Sequence, residues 1–307
     1  MEPPSVPSTD SKRVMIFANP IAGRGRSRVI AHDLERQLRS EGYVVDTFWE
    51  RPADVSDEQV APPGPPAAAV ITIGGDGTLR GVIDRLLASN VLLPLLPIPL
   101  GTANMMGKYL GIRFGKWDLV PRVSYAIRNA KPLLLDAGRA NGQIFIQVVG
   151  VGFDAHVVYH LDRLRRGPIS FWSYMLPAAL SLLEYEPQPL AVKVDGQEIF
   201  AEQCGFAFVG NLRQYGTGFP ILVEARPDDG LLDVCAVQCE SREKLIHLFL
   251  TAAAGEHPFI EGSVYRKGKH VEITSSTPVR AEIDGDPGGF TPVTIDLLPV
   301  KLPFIVP

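Results

Sequence analysis

Ala68-Ala69-Val70-Ile71-Thr72-Ile73-Gly74-Gly75-Asp76-Gly77-Thr78-Leu79 is the stretch whose reading decides the fold. Its apolar, β-branched first half predicts a buried strand. Three glycines wrapped around one carboxylate end that strand, and Leu79, Val82, Ile83, Leu86 and Leu87 then recur with helical spacing. Strand, glycine turn and helix together present backbone N–H groups to phosphate oxygens, and glycine lets the backbone come close to a ligand. Asp76 cannot attract a phosphate by charge. The expectation is therefore that it holds a metal, orients a hydroxyl or accepts its proton, which makes the segment a candidate phosphotransferase site.

The same pattern extends to both sides. Arg13-Val14-Met15-Ile16-Phe17-Ala18 predicts a strand, Asn19 to Arg26 a glycine-basic loop, Val29 to Leu38 a helix and Tyr43 to Phe48 a second strand. Asp54 to Pro66 reads as a proline-rich excursion with room for a short helix, and Leu95 to Pro99 as another strand. Strands alternating with helices argue for a parallel sheet with ligand sites at the strand C-termini. After about residue 133, strand-like runs recur with turn signals (143–149, 190–194, 204–209, 231–237, 271–274, 279–283, 293–298), interrupted by helical stretches near 155–184 and 241–254. That predicts an antiparallel β domain.

Composition narrows the class. At 307 residues, 46% hydrophobic and 21% charged, the chain is long enough for two globular domains. A net charge of −4 gives no global basic field, so no nucleic-acid partner is expected. The odd cysteine count (Cys204, Cys235, Cys239) lacks zinc-type spacing and reads as reduced thiols in a cytoplasmic protein. No apolar run approaches the roughly 20 residues that span a bilayer; membrane contact, if made, would be peripheral. Met1 to Asp10 carries three prolines and no apolar core, so it reads as a disordered tail rather than a signal peptide.

Several further groups could carry chemistry. Asn19, Gly23 and Arg24 suit nucleotide phosphates, or form a plain βα turn. Thr102 and Asn104 in Pro99-Leu100-Gly101-Thr102-Ala103-Asn104 offer polar groups at a strand end, or a helix N-cap. Asp228-Asp229-Gly230-Leu231-Leu232-Asp233 is a carboxylate and carbonyl cation site, or an Asp-Gly turn. Asp284-Gly285-Asp286 is an ordinary hairpin, or brings an acid opposite Asp76. His156 and His160 stand at i, i+4 near Asp154, without HExxH-like support, and read as helix-face histidines. The Phe171 to Leu176 aromatic stripe reads as core, with the flanking Arg163 to Arg166 favouring a lipid interface.

Taken in order over some 270 positions, these motifs resemble the diacylglycerol kinase catalytic family, which includes bacterial lipid kinases and sphingosine kinases. The resemblance implies an α/β N-terminal domain of the Rossmann-like, NAD-kinase type at 11–135. It implies a C-terminal antiparallel β-sandwich domain at 136–296, an active cleft between the two, and a chain end (about 297–307) returning to the first. ATP is the implied donor, Mg²⁺ the implied cofactor and a lipid hydroxyl at a membrane surface the implied acceptor. Asp76 and Asp286 take the catalytic positions. Asn19, Gly23, Arg24, Gly74, Gly75, Gly77, Thr78, Gly101 and Thr102 lie near nucleotide. Asp229 and the Leu231 carbonyl hold a structural Mg²⁺, while Asp136, Asp154 and Asn104 fall at lipid-side or supporting positions. The chain departs from the family pattern at Arg80-Gly81, where a glutamate is usual, at Met105-Met106-Gly107, and at Asp286, where glutamate is common. Alternative readings are a catalytically weak nucleotide- or lipid-binding regulator, or an NAD kinase sharing the Gly-Gly-Asp-Gly turn. The apolar β domain leaves room for a homodimer.

Overall fold

The computed structural model describes residues 11–115, 118–129, 131–164, 181, 184–215, 220–254, 256 and 261–307. The chain forms two compact units, one made of residues 1–135 with 300–307, the other of residues 136–299.

The first unit is built on a mixed six-stranded sheet. Its strands are β1 (Arg13–Ala18), β2 (Val44–Phe48), β3 (Ala69–Gly74), β4 (Leu95–Pro99), β5 (Leu133–Leu135) and the C-terminal β17 (Leu302–Phe304). They lie in the order β2-β1-β3-β4-β17-β5, parallel throughout except for β5 against β17. Every residue of β3 is buried, as expected for a central parallel strand covered on both faces. The helices are α1 (Arg26–Ser40), the single-turn α2 (Asp57–Val60), α3 (Asp76–Ala88), α4 (Met105–Tyr109) and α5 (Leu119–Asn129). α1 buries Ala31, Leu34 and Leu38 at helical spacing against the sheet core of Val14, Ile16, Ile71 and Ile73. α2 starts at a capping box, Ser56 accepting from the Gln59 N–H while the Gln59 side chain accepts from Ser56 N–H.

The second unit is a β-sandwich-like antiparallel sheet. It contains β6 (Gly138–Ala140), β7 (Gln143–Phe145), β8 (Val148–Val151), β9 (Gln188–Val194), β10 (Gln197–Gly210), β11 (Leu232–Gln238), β12 (Ser263–Gly268), β13 (His270–Thr274), β14 (Arg280–Ile283), β15 (Asp286–Phe290) and β16 (Val293–Leu297). Among the described residues, α6 (Phe153–Leu164) and α7 (Arg242–Ala254) accompany it. The 14-residue β10 is its hinge. Residues 197–205 pair with β9, and after two register shifts residues 205–210 pair with β11 and 207–210 with β8. Period-two alternation then sorts side chains into two cores. Ala207, Val209, Val234 and Ala236 face one core with Val192, Val271 and Ile295. Phe206, Phe208, Cys235 and Val237 face the other, with Phe153 and Val157 of α6 and Leu245 and Leu248 of α7.

Sequence reading missed β5, β6, β12, β15, β17 and the first half of β10. β5, β6 and β17 have three residues each, too few to show a period. β15 reads Asp-Pro-Gly-Gly-Phe, a turn composition held as a strand by its pairing with β14. The first half of β10 carries Glu198, Glu202 and Gln203 and is mostly exposed, so only its apolar second half stood out. Among the described residues no helix is long and apolar enough to cross a membrane. The 1–10 tail and the aromatic stripe at 171–176 lie outside the described residues.

Truncating Leu34, which is fully buried beneath α1, should destabilise the protein by about 2–5 kcal/mol. Chemical denaturation of Leu34→Ala beside the parent checks this, with an unchanged midpoint contradicting the packing.

Candidate active site

Three loops meet at the C-terminal ends of β1, β3 and β4, and backbone bonds stitch them together. Asn19 N–H donates to Ile73 O at 3.0 Å and Leu100 N–H to Gly74 O at 2.7 Å. The ladder of the sheet thus runs one step past its strands and fixes where each glycine loop begins.

The loop after β1 turns through Gly23, Arg24 and Gly25 with φ of 58°, 58° and 86°. Glycine holds the left-handed region freely, whereas Arg24 holds it against its Cβ. This delivers the chain into α1, whose N-terminus carries Arg26 and Arg28, both exposed like Arg24. Asn19 Oδ1 accepts the Ile21 N–H at 3.2 Å and so supports the loop.

The other two loops touch backbone to backbone. A Cβ on Gly101 would lie 2.5 Å from the Gly75 Cα, so no side chain fits there. A Cβ on Gly74 would collide with the Thr78 hydroxyl at 2.4 Å, since Thr78 folds back over that glycine. Asn104 sits in the left-handed region (φ 49°, ψ 47°) and closes its own loop: Oδ1 accepts the Gly101 N–H at 2.8 Å and Nδ2 donates to Gly101 O at 2.7 Å. Asn104 occupies the N-cap position of α4 but does not cap it with its side chain.

Asp76 does the capping. Its Oδ2 accepts the Met105 N–H at 2.9 Å and its Oδ1 the Met106 N–H at 3.1 Å, satisfying two otherwise orphaned donors at the start of α4. This use of Asp76 was absent from the options drawn from sequence, and Met105 and Met106 serve it through backbone rather than side chain. Burial pushes the Asp76 carboxyl above its usual range, while the two N–H bonds and the Lys108 charge pull it back in part. Gly77, Gly101 and Thr102 are exposed, Gly23 and Gly75 half-buried, and Gly74 buried.

The second unit holds the remaining acids. Asp284 has φ of 52° and accepts N–H bonds from Ile146, Gln147 and Val148 at 2.9–3.1 Å, fixing the turn between β14 and β15. Asp286, two residues on, opens β15 and is half-buried. Asp136 is buried. Its Oδ2 accepts the Gly230 N–H at 2.7 Å and its own N–H donates to Pro227 O at 2.6 Å, so it holds the Asp228–Gly230 turn.

Two further acids have surroundings that the sequence did not show. Asp154, given a lipid-side or supporting position, is buried: an added Cβ on Gly150 would meet Asp154 Oδ2 at 2.9 Å and Glu282 Oε1 at 2.8 Å. Burial first, and then the Asp154 charge, drive Glu282 well above the usual carboxylate range. Sequence reading missed Glu282, which looked like an ordinary hairpin acid. The proposed cation site at Asp229 and Leu231 is already neutralised. Lys267 Nζ lies 2.9 Å from Asp229 Oδ2, 3.3 Å from Asp233 Oδ1 and 3.1 Å from Glu224 O, while Asp229 Oδ1 accepts the Leu231 N–H. An ammonium among these oxygens does not fit a second, divalent cation in the same place.

Comparison with known proteins accounts for this arrangement. The diacylglycerol kinase catalytic domain matches residues 13–131, and the YegS C-terminal NAD kinase beta sandwich-like domain matches residues 147–306. The chain belongs to the diacylglycerol kinase family. It is therefore an enzyme of a kinase family with alcohol acceptors. A diacylglycerol kinase of Mycobacterium tuberculosis is 29% identical over 96% of this chain and 95% of its own length. One of Staphylococcus aureus is 26% identical over 92% and 88%. Two solved Bacillus anthracis structures share the fold. One has a TM-score of 0.76 at 21% identity, covering 98% of this chain and 97% of its own. The other, titled a diacylglycerol kinase, has 0.68 at 21%, covering 98% of each.

Replacing Asp76 by Ala leaves the Met105 and Met106 N–H groups without acceptors, at a cost of about 1–3 kcal/mol. Amide exchange at these two positions should accelerate in Asp76→Ala far more than at β1 amides; uniform exchange across both regions would show that the carboxylate does not hold α4.

Proposed function

We propose that this chain is an ATP-dependent lipid kinase that transfers the γ-phosphate to a hydroxyl of a diacylglycerol-like or sphingoid-like acceptor. The observation that carries the reading is the contact of Gly75 with Gly101, clamped by Asp76 on the N-terminus of α4. Two glycine loops packed without side chains let phosphate oxygens approach the backbone closely at the C-terminal edge of a parallel sheet.

In this reading the α1 and α3 N-termini and Arg24 attract the polyphosphate, and Gly75, Gly77, Gly101 and Thr102 line its path. The divalent ion that accompanies ATP supplies charge neutralisation at the phosphate oxygens; the Asp229 cluster, held by Lys267, is not assigned to it. Asp76 keeps both loops in register. Each of its oxygens accepts one N–H and retains a second lone pair, and burial raises its basicity. It is thus suited to orient a hydroxyl and take its proton late, as a loose transition state requires. Asp286 is assigned to the same reaction as its second acid, and Asp284 holds the turn that presents it. The acceptor is met at a membrane surface by a peripheral contact.

Incubation with γ-labelled ATP, Mg²⁺ and mixed-lipid vesicles should yield a labelled lipid. Asp286→Asn should lower kcat by about 10²–10⁴-fold while leaving the unfolding midpoint near the parent value. Labelled NAD in place of labelled lipid would move the chain to nucleotide phosphorylation. ATP binding with no transfer to any lipid would move it to a binding role.

A further inference from the structure

α6 presents His156 and His160 one turn apart, and the fold brings a third side chain to them from 24 residues further on. His156 Nε2 and His160 Nε2 are 3.1 Å apart, and His160 Nε2 lies 3.4 Å from Glu184 Oε2. All three ligand atoms lie within 4.8 Å of one another, and among the described residues this is the group of histidine, cysteine and acidic side chains so arranged. Tetrahedral zinc with bonds of roughly 2.0–2.1 Å spaces neighbouring ligand atoms about 3.3–3.4 Å apart. The separations of 3.1 and 3.4 Å lie near those edges, and His156 and Glu184 have ligand atoms within 4.8 Å of each other.

The surroundings supply what such a site requires. Tyr185 packs edge-on against the His156 ring and Tyr159 against the His160 ring, limiting ring rotation. Both histidines are half-buried, whereas Glu184 is 58% exposed, so one side of the cluster opens to solvent. The Arg280 guanidinium stacks 3.5 Å from the Tyr159 ring centroid and Arg163 packs on the same ring, so both cations are directed at an aromatic face.

We propose that His156, His160 and Glu184 form a metal site for zinc or a similar borderline transition ion, with a fourth position left for water. Two imidazoles and one carboxylate are a nitrogen-rich set that favours such ions over Mg²⁺. The site ties α6, which packs on β14 and β15, to the chain at residue 184. It belongs to the second unit and does not depend on the proposed kinase reaction. The i, i+4 histidines were visible in sequence; the ligand that completes them was not, because residue 184 meets them only in the fold.

Full-length protein stripped with a chelator and dialysed is titrated with Zn²⁺ against a chromophoric competitor at neutral pH. One equivalent should bind, and zinc should raise the melting temperature. His156→Gln and His160→Gln should each weaken binding by at least tenfold, and Glu184→Gln by less. His270→Gln, at the surface pair with Asp296, should bind like the parent. Circular dichroism confirms that each variant is folded, and Co²⁺ in place of Zn²⁺ should give a visible band of tetrahedral intensity that the double histidine variant lacks. Zinc uptake equal in parent and double variant would overturn the site, as would no uptake by the parent.

Discussion

One carboxylate organises the C-terminal edge of the parallel strands in the first unit. Asp76 leaves the end of β3 and grips the first two free amides of α4, so the loop after β3 and the loop after β4 move as one body. The clamp works because Gly75 and Gly101 have no Cβ at their point of contact. Any side chain there would separate the loops and take the amides of α4 out of reach of Asp76. Conformational freedom, charge and close approach thus converge on Gly75, Asp76 and Gly101, at the ends of β3 and β4.

The second unit meets a comparable demand differently. Here a long strand bends between two partners, and side-chain alternation feeds two cores at once. Several of its acids are committed to backbone or to a neighbouring lysine. Asp284 takes three amides, Asp136 fixes the Gly230 turn, and Asp229 shares Lys267 with Asp233. Carboxylates are strong acceptors of N–H bonds in a low-dielectric setting, and an acid-rich sequence can reflect loop construction as much as chemistry. Asp286, two residues beyond the anchored Asp284, opens β15.

Much of this was legible beforehand. Strand periodicity located β1, β3 and β4, and the glycine runs marked the loops that follow them. The antiparallel half was visible wherever apolar alternation lasted five residues or more. The failures have physical causes. A three-residue strand such as β17 has no period to read, and a Pro-Gly-Gly strand such as β15 exists only because β14 supplies its hydrogen bonds. Asp229 looked like a cation ligand because its partner, Lys267, stands 38 residues away and is an unremarkable lysine in sequence. Glu282 looked like surface for the same reason, its environment being set by α6 and β8 rather than by its neighbours along the chain.

Local chemistry settled where the backbone must turn, which segments are buried, and which residue types could meet a phosphate, because propensity and periodicity act over a few residues. Which acid pairs with which partner was decided by tertiary structure alone. Asp76 with the α4 amides, Asp154 with Glu282, Asp229 with Lys267, and Glu184 with two histidines are all juxtapositions across at least 24 positions of chain. A carboxylate has no fixed role until its surroundings set its charge and its bonds, and those surroundings arrive only when distant segments pack.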